Sequence, residues 1–163
     1  MEAPRYYLTT PIYYVNDVPH IGHAYTTLAC DVLARFMRLD GCDVLFLTGT
    51  DEHGQKVEKA AETLEMEPQA FTDKVSKNFR DLLPFMNISN DDFIRTTEAR
   101  HKVSAQAIWR RLMQNGHIYL DKYSGWYSVR DEAYFAENEL IDGKAPTGAP
   151  VEWVEEPSYF FDL

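Results

Sequence analysis

Short apolar runs alternate with amphipathic stretches along the amino-terminal part of the chain, and this alternation restricts the fold more than any other feature. Residues 6–10 read as a buried strand, and residues 11–19 as a loop. From Ile21 the apolar positions Tyr25, Leu28, Val32, Phe36 and Leu39 recur every three or four residues, the spacing of one helix face, until Gly41 stops it. Residues 44–48 form a second short apolar run ended by Gly49. Val57, Ala60, Ala61 and Leu64 predict a helix. Phe71, Val75, Phe79 and Leu82 predict another, opened by Pro68. Residues 93–96 read as a strand. Ala105, Ile108, Trp109 and Leu112 mark a helix face closed by Asn115-Gly116. Strands that alternate with helices imply an α/β fold with a parallel sheet and crossover helices. Ligands of such sheets bind beyond the carboxyl ends of the strands. Here those ends are the loops after Thr10 and Thr48.

After Gly116 the texture changes. Residues 118–129 are aromatic and β-like, with a turn expected near 122–125. Residues 142–150 are rich in Gly, Pro and Ala, and 151–154 and 159–161 read as separate strands. The expected division is therefore 1–117 and 118–163. The chain stops just after a strand-like run, without a closing element.

The first of the two loops carries Pro19-His20-Ile21-Gly22-His23 at the start of the long helix. A helix start presents free N–H groups and the positive end of the dipole, so it attracts anions. Two imidazoles three residues apart can donate to phosphate oxygens as negative charge grows there. Gly22 lacks a Cβ, so a flat base can approach the backbone. The usual triphosphate loop, Gly-x-x-x-x-Gly-Lys-Ser/Thr, is absent. Read without context, histidines in a proline-rich loop serve as surface or capping groups.

The net charge of −10 argues against a nonspecific coat on nucleic acid, although Arg100, His101, Lys102, Arg110 and Arg111 form a local basic cluster. Cys30 and Cys42 can supply neither a disulfide framework nor a four-ligand zinc site, and they read as free thiols in a reducing compartment. No apolar stretch approaches the ~20 residues of a membrane helix, and no signal core follows Met1, so the expected location is the cytosol, with no membrane partner.

Several blocks occur in a fixed order: Thr10-Pro11-Ile12-Tyr13-Tyr14-Val15-Asn16, His20-Ile21-Gly22-His23, Leu47-Thr48-Gly49-Thr50-Asp51-Glu52-His53-Gly54, Phe93-Ile94-Arg95-Thr96-Thr97-Glu98 and Gly116-His117-Ile118-Tyr119. Together they resemble the amino-terminal part of bacterial-type methionyl-tRNA synthetases, which are class I aminoacyl-tRNA synthetases. The resemblance implies the first half of a Rossmann-like catalytic domain over 1–117, then a partial connective-peptide insertion over 118–163. It also implies that a second half, with a Lys-Met-Ser-Lys-Ser loop and anticodon-binding helices, lies outside this chain. By the same resemblance His20, Gly22 and His23 bind ATP, with His20 and His23 stabilising the transition state for adenylate formation. Asp51 holds the methionine α-amino group, against the plainer reading of a turn former or helix cap. The backbone at Ile12 and the ring of Tyr14 touch the methionine side chain, whose thioether packs well on an aromatic edge.

Asp51, Glu52 and His53 are consecutive and seldom could aim at one metal ion. Where many relatives carry Cys-x-x-Cys in the insertion, this chain reads Tyr127-Ser128-Val129-Arg130-Asp131-Glu132, and later Gly143-Lys144-Ala145-Pro146. Neither run supplies thiolates for tetrahedral zinc, so no metal ligand and no zinc are expected. Trp126, Tyr127, Tyr134 and Phe135 are the expected core of that knuckle.

The resemblance implies a methionine–tRNA ligase fragment whose parent enzyme uses L-methionine, ATP with Mg²⁺ and methionine tRNA. It makes methionyl-adenylate and transfers the methionyl group to the tRNA 3′ end with release of AMP, and the fragment alone is expected to be inactive. Two rivals stand beside it. One is a small nucleotidyltransferase that uses the same histidines; the other is a non-catalytic binding module.

Overall fold

The computed structural model describes residues 2–163. They form two compact units, one running up to residue 104 and the other over 105–163. The first unit holds β1 (Arg5–Thr9), β2 (Tyr13–Tyr14), α1 (Ile21–Leu39), β3 (Asp43–Asp51), α2 (Gln55–Thr63), α3 (Pro68–Phe85) and β4 (Asp92–Arg95). Its sheet is parallel throughout. β1 pairs with the first part of β3, from Arg5↔Asp43 to Thr9↔Leu47. β2 pairs with the end of β3 through Tyr13↔Thr50 and Tyr14↔Asp51. β4 runs from Leu47↔Asp92 to Thr50↔Arg95. β3 is thus the central strand, and buried hydroxyls of Thr10 and Thr48 bond across it at 2.7 Å.

Two apolar clusters hold this unit. Phe71, Val75, Phe79 and Leu83 of α3 pack with Val57 and Ala61 of α2, with Tyr13 and Val15, and with Phe93 of β4. Ala34, Val44 and Phe46 form the second cluster.

Gly49 does not end a strand, as the residues alone suggest. β3 continues to Asp51, because β2 and β4 both pair with its last residues. A Cβ on Gly49 would lie 2.0 Å from the Ile94 carbonyl oxygen, so glycine is what lets β3 and β4 come together here. The loop after Pro11 likewise contains a strand, β2, held by the same pairing.

α1 forms as the spacing predicts, but its expected core face points outward. Tyr25, Val32 and Phe36 are 74%, 60% and 61% exposed, and Leu28 and Leu39 are exposed as well. The buried residues of the helix are Thr27, Asp31 and Ala34. Periodicity locates a face; it does not say what the face meets.

The second unit takes up the end of α4 (Ala99–Gln114), which buries none of its residues although its apolar spacing predicts a core face. Beyond it come β5 (Ile118–Ser128), β6 (Ala133–Phe135) and β7 (Glu152–Phe161), an antiparallel sheet in the order β6-β5-β7. The expected turn at 122–125 is absent. β5 runs straight through because β7 offers it an unbroken partner from Ile118↔Phe161 to Tyr127↔Glu152. The two strands expected at 151–154 and 159–161 are this one strand. Pro157 does not interrupt it, since β7 lies at the sheet edge, where a missing N–H is tolerated.

Candidate functional site

The α1 amino terminus is built by its own histidines. His20 is the N-cap, in extended backbone conformation. Its Nδ1 accepts from the Gly22 N–H at 3.1 Å, while its own N–H donates to His23 Nδ1 at 3.1 Å. The rings stack with centroids 3.8 Å apart. Both Nδ1 atoms act as acceptors, so in the neutral rings the proton sits on Nε2. Burial, and then the neighbouring His20, hold His23 below the usual histidine range, which keeps it neutral near pH 7. The result is two adjacent Nε2–H groups at the positive end of a 19-residue helix.

This arrangement departs from the expectation of a helix start with its N–H groups free. The Gly22 N–H is already engaged, so anion recognition falls to the imidazoles. The glycine also has a nearer purpose than admitting a base, for a Cβ on Gly22 would lie 2.9 Å from His20 Cε1. His23 is backed by Tyr13, with ring centroids 4.8 Å apart, and by Phe79 at 5.1 Å. The Tyr13 hydroxyl lies 2.8 Å from Thr27 Oγ1, which joins β2 to α1.

The other expected residues gather at the end of the same sheet. Ile12 and Tyr14 are exposed on either side of buried Tyr13. Tyr14 pairs with Asp51, the last residue of β3, so the two are neighbours across the strands. Among the described residues, nothing bonds to the Asp51 carboxylate. Thus β2 gathers Ile12, Tyr14 and Asp51, and through Tyr13 it connects them to the histidine pair.

The residues alone missed the ion pair directly behind Asp51. Glu52 is buried, with Arg95 Nε at 2.7 Å from its Oε1 and an Arg95 terminal nitrogen at 2.9 Å from its Oε2. The same Arg95 arm bonds Asp73 of α3. The Glu52 hydrogen bonds raise the Arg95 guanidinium above its ordinary range, against the effect of burial. The Arg95 bond, aided by Gln69, holds Asp73 below the usual carboxylate range. The signal was an arginine inside an apolar strand, Phe93-Ile94-Arg95, since a buried cation requires a carboxylate.

In the second unit the positions compared with zinc ligands carry no thiolate, and their polar groups are engaged with one another. Ser128 is fully buried, and its hydroxyl donates to Asp131 Oδ2 at 3.1 Å while accepting from the Asp131 N–H at 3.2 Å. Thr147 and Arg130 bond the same carboxylate. Ala145 is buried with no ligand atom to offer. Trp126, Tyr127, Tyr134 and Phe135 are half-buried, and β5–β6 pairing brings them together as Trp126↔Phe135 and Tyr127↔Tyr134. Among the described residues no group of three or more His, Cys, Asp or Glu could hold a metal ion, and no helix is long and apolar enough to cross a membrane. Cys30 and Cys42 are free and half-buried. Within the basic cluster, Arg100 is tied to Asp92 and Glu98.

Residues 6–152 match the family model described as tRNA synthetases class I (M). The chain is 69% identical over 159 residues to a methionine–tRNA ligase of Rickettsia typhi, covering 97% of this chain and 31% of that protein. It is 58% identical to one of Mesorhizobium japonicum, covering 33% of it. A solved Mycobacterium tuberculosis methionyl-tRNA synthetase in complex with methionyl-adenylate superposes with a TM-score of 0.87 at 52% identity, over 97% of this chain and 32% of that one. The chain spans about a third of the length of the relatives it matches.

Proposed function

Because the chain belongs to the class I tRNA synthetases of the methionyl group, we propose that it is the amino-terminal portion of a methionine–tRNA ligase. Residues 1–117 are then the first half of the nucleotide-binding catalytic domain, and 118–163 a partial, zinc-free connective peptide. The observation that carries the reading is that β2 links, through Tyr13 and Tyr14, the His20–His23 pair, each ring with its Nδ1 engaged, to Asp51, whose carboxylate has no partner among the described residues.

In this reading the methionine carboxylate attacks the α-phosphorus of ATP, and pyrophosphate leaves. His20 and His23 donate to phosphate oxygens as charge builds there, and their rings are held in advance, so no reorganisation opposes the transition state. Gly22 leaves room for the His20 ring that caps the helix. Asp51 accepts from the substrate ammonium in a charge-assisted bond. The backbone at Ile12 and the ring of Tyr14 border the thioether. Mg²⁺ accompanies ATP as its counter-ion, and no residue of this chain is assigned to it. The terminal ribose hydroxyl of methionine tRNA then attacks the adenylate carbonyl, and AMP departs. Positioning and charge stabilisation account for the chemistry without a covalent enzyme intermediate. The enzyme works in the cytoplasm.

Exchange of labelled pyrophosphate into ATP by the full-length protein is the test. We expect exchange that depends on L-methionine. Exchange that needs a phosphorylated small-molecule acceptor in place of methionine assigns the histidines to a small nucleotidyltransferase instead. Absence of exchange leaves a binding module.

A further inference from the structure

Glu52 touches no position at which the reading above places a substrate, yet it is the most completely held carboxylate beside the site. Its side chain is 0% exposed. Oε1 accepts from Thr50 Oγ1 at 2.8 Å and Arg95 Nε at 2.7 Å, and Oε2 accepts from Arg95 at 2.9 Å and from the Thr97 hydroxyl. The Glu52 N–H donates to Thr96 Oγ1 at 2.8 Å. Four donors and one acceptor therefore fix both ends of this residue. Replacing a buried ion pair by apolar groups is often neutral for stability, so the pair's distinctive contribution is direction.

That direction matters because of the residue before it. Among the described residues the Asp51 carboxylate has no partner, so only its backbone can hold it in place. On one side that backbone pairs with Tyr14, and on the other it runs into the anchored Glu52. We propose that Glu52, clamped by the Arg95 fork, is a positioning residue that holds Asp51 ready for the ammonium group of the amino-acid substrate. The proposal rests on the reading of Asp51 as the ammonium partner.

The test uses Glu52→Gln, Arg95→Lys and Asp51→Asn in the full-length enzyme. The probes are L-methionine, L-methioninol, which keeps the ammonium group, and 4-(methylthio)butanoate, which lacks it. Glu52→Gln keeps the shape but removes the charge and one acceptor. It is expected to raise the methionine KM and the methioninol Ki about tenfold, the scale of one misplaced charge-assisted bond. The ATP KM and the Ki of the deaminated acid should stay within about twofold. Arg95→Lys replaces the fork by a point charge and should give the same pattern, weaker, about threefold. Arg95→Lys carries the test if Glu52→Gln does not fold. Constants that rise together for all probes, or stay unchanged while only thermal stability falls, make the pair a brace of the fold and overturn the proposal. If Asp51→Asn weakens methioninol binding while Glu52→Gln and Arg95→Lys do not, the positioning role fails and the Asp51 reading stands. If Asp51→Asn leaves methioninol binding unchanged, that reading falls and the proposal with it.

Discussion

His20 and His23 each commit a ring nitrogen to the backbone of their own helix start, so one proton position per ring remains for anything outside. Replacing His23 by Ala removes one donor and the acceptor for the His20 N–H together. Under the proposed function this should slow adenylate formation by the full-length protein about 10²–10³-fold, the usual cost of one transition-state donor, while methionine affinity barely moves; single-turnover assays read both. Protonation would also take away the Nδ1 acceptor. Because the folded His23 pKa lies below the unfolded value, its contribution to stability is complete above about pH 6.5 and is lost as pH falls through the folded pKa. The place of the histidines at a helix start was legible because their spacing is local. Glu52 was not, since its partner Arg95 is 43 positions away, and only the β3–β4 register brings the two together. Gly22 was legible as necessary, but for a different neighbour, the ring of His20 rather than a base.

At the scale of elements, a buried carboxylate ties α1 to the segment before β4. Asp31 accepts from the Ser89 N–H and hydroxyl, both at 2.6 Å, and from Arg35 Nε at 2.7 Å. Arg38 bonds Ser89 and Asp91, and Asp91 in turn accepts from the Phe46 N–H at 2.7 Å. Burial disfavours the Asp31 charge, but the Ser89 and Arg35 hydrogen bonds outweigh it and hold the carboxyl below its ordinary range. Its stabilisation is therefore present above the unfolded pKa of about 4 and is lost as pH falls through the lower folded value. Asp31→Asn should cost about 1.5–3 kcal/mol at pH 7, the scale of hydrogen bonds to one buried charged acceptor whose cationic partner, Arg35, is itself half exposed, and the gap from the parent should narrow below about pH 4. Urea denaturation at both pH values measures it; an equal gap at both means the charge contributes nothing. Element types followed from period and punctuation. Strand ends did not, because β3 and β5 extend only as far as their partners reach, and partners are non-local. The face of α1 was mistaken for a similar reason: its stripe is real, but the part of the helix turned inward is Thr27, Asp31 and Ala34, with Asp31 satisfied by hydrogen bonds rather than by packing.

At the scale of the whole molecule, an isolated 163-residue chain presents Tyr25, Leu28, Val32 and Phe36 to water along one helix. Contiguous apolar surface of this kind promotes association. Sedimentation velocity should show concentration-dependent self-association, reduced by Val32→Glu with Phe36→Lys; a monomer at all concentrations contradicts this. Under the proposed function the isolated chain should also fail to charge tRNA, since correct placement of both reactants supplies up to ~7–11 kcal/mol of barrier reduction in well-oriented cases and the chain spans only about a third of the relatives it matches. Parallel pairing carries one more consequence, for synthesis. β1 can pair with β3 only after the crossover helix between them, and the Thr10–Thr48 link closes a separation of 38 residues. At a translation rate of about 5–20 residues per second, β1 leaves the ribosome roughly 2–8 s before the strand that completes it. During that interval Tyr6, Tyr7 and Leu8 travel as an unpaired edge, and a nascent-chain holdase would meet them before their own sheet does.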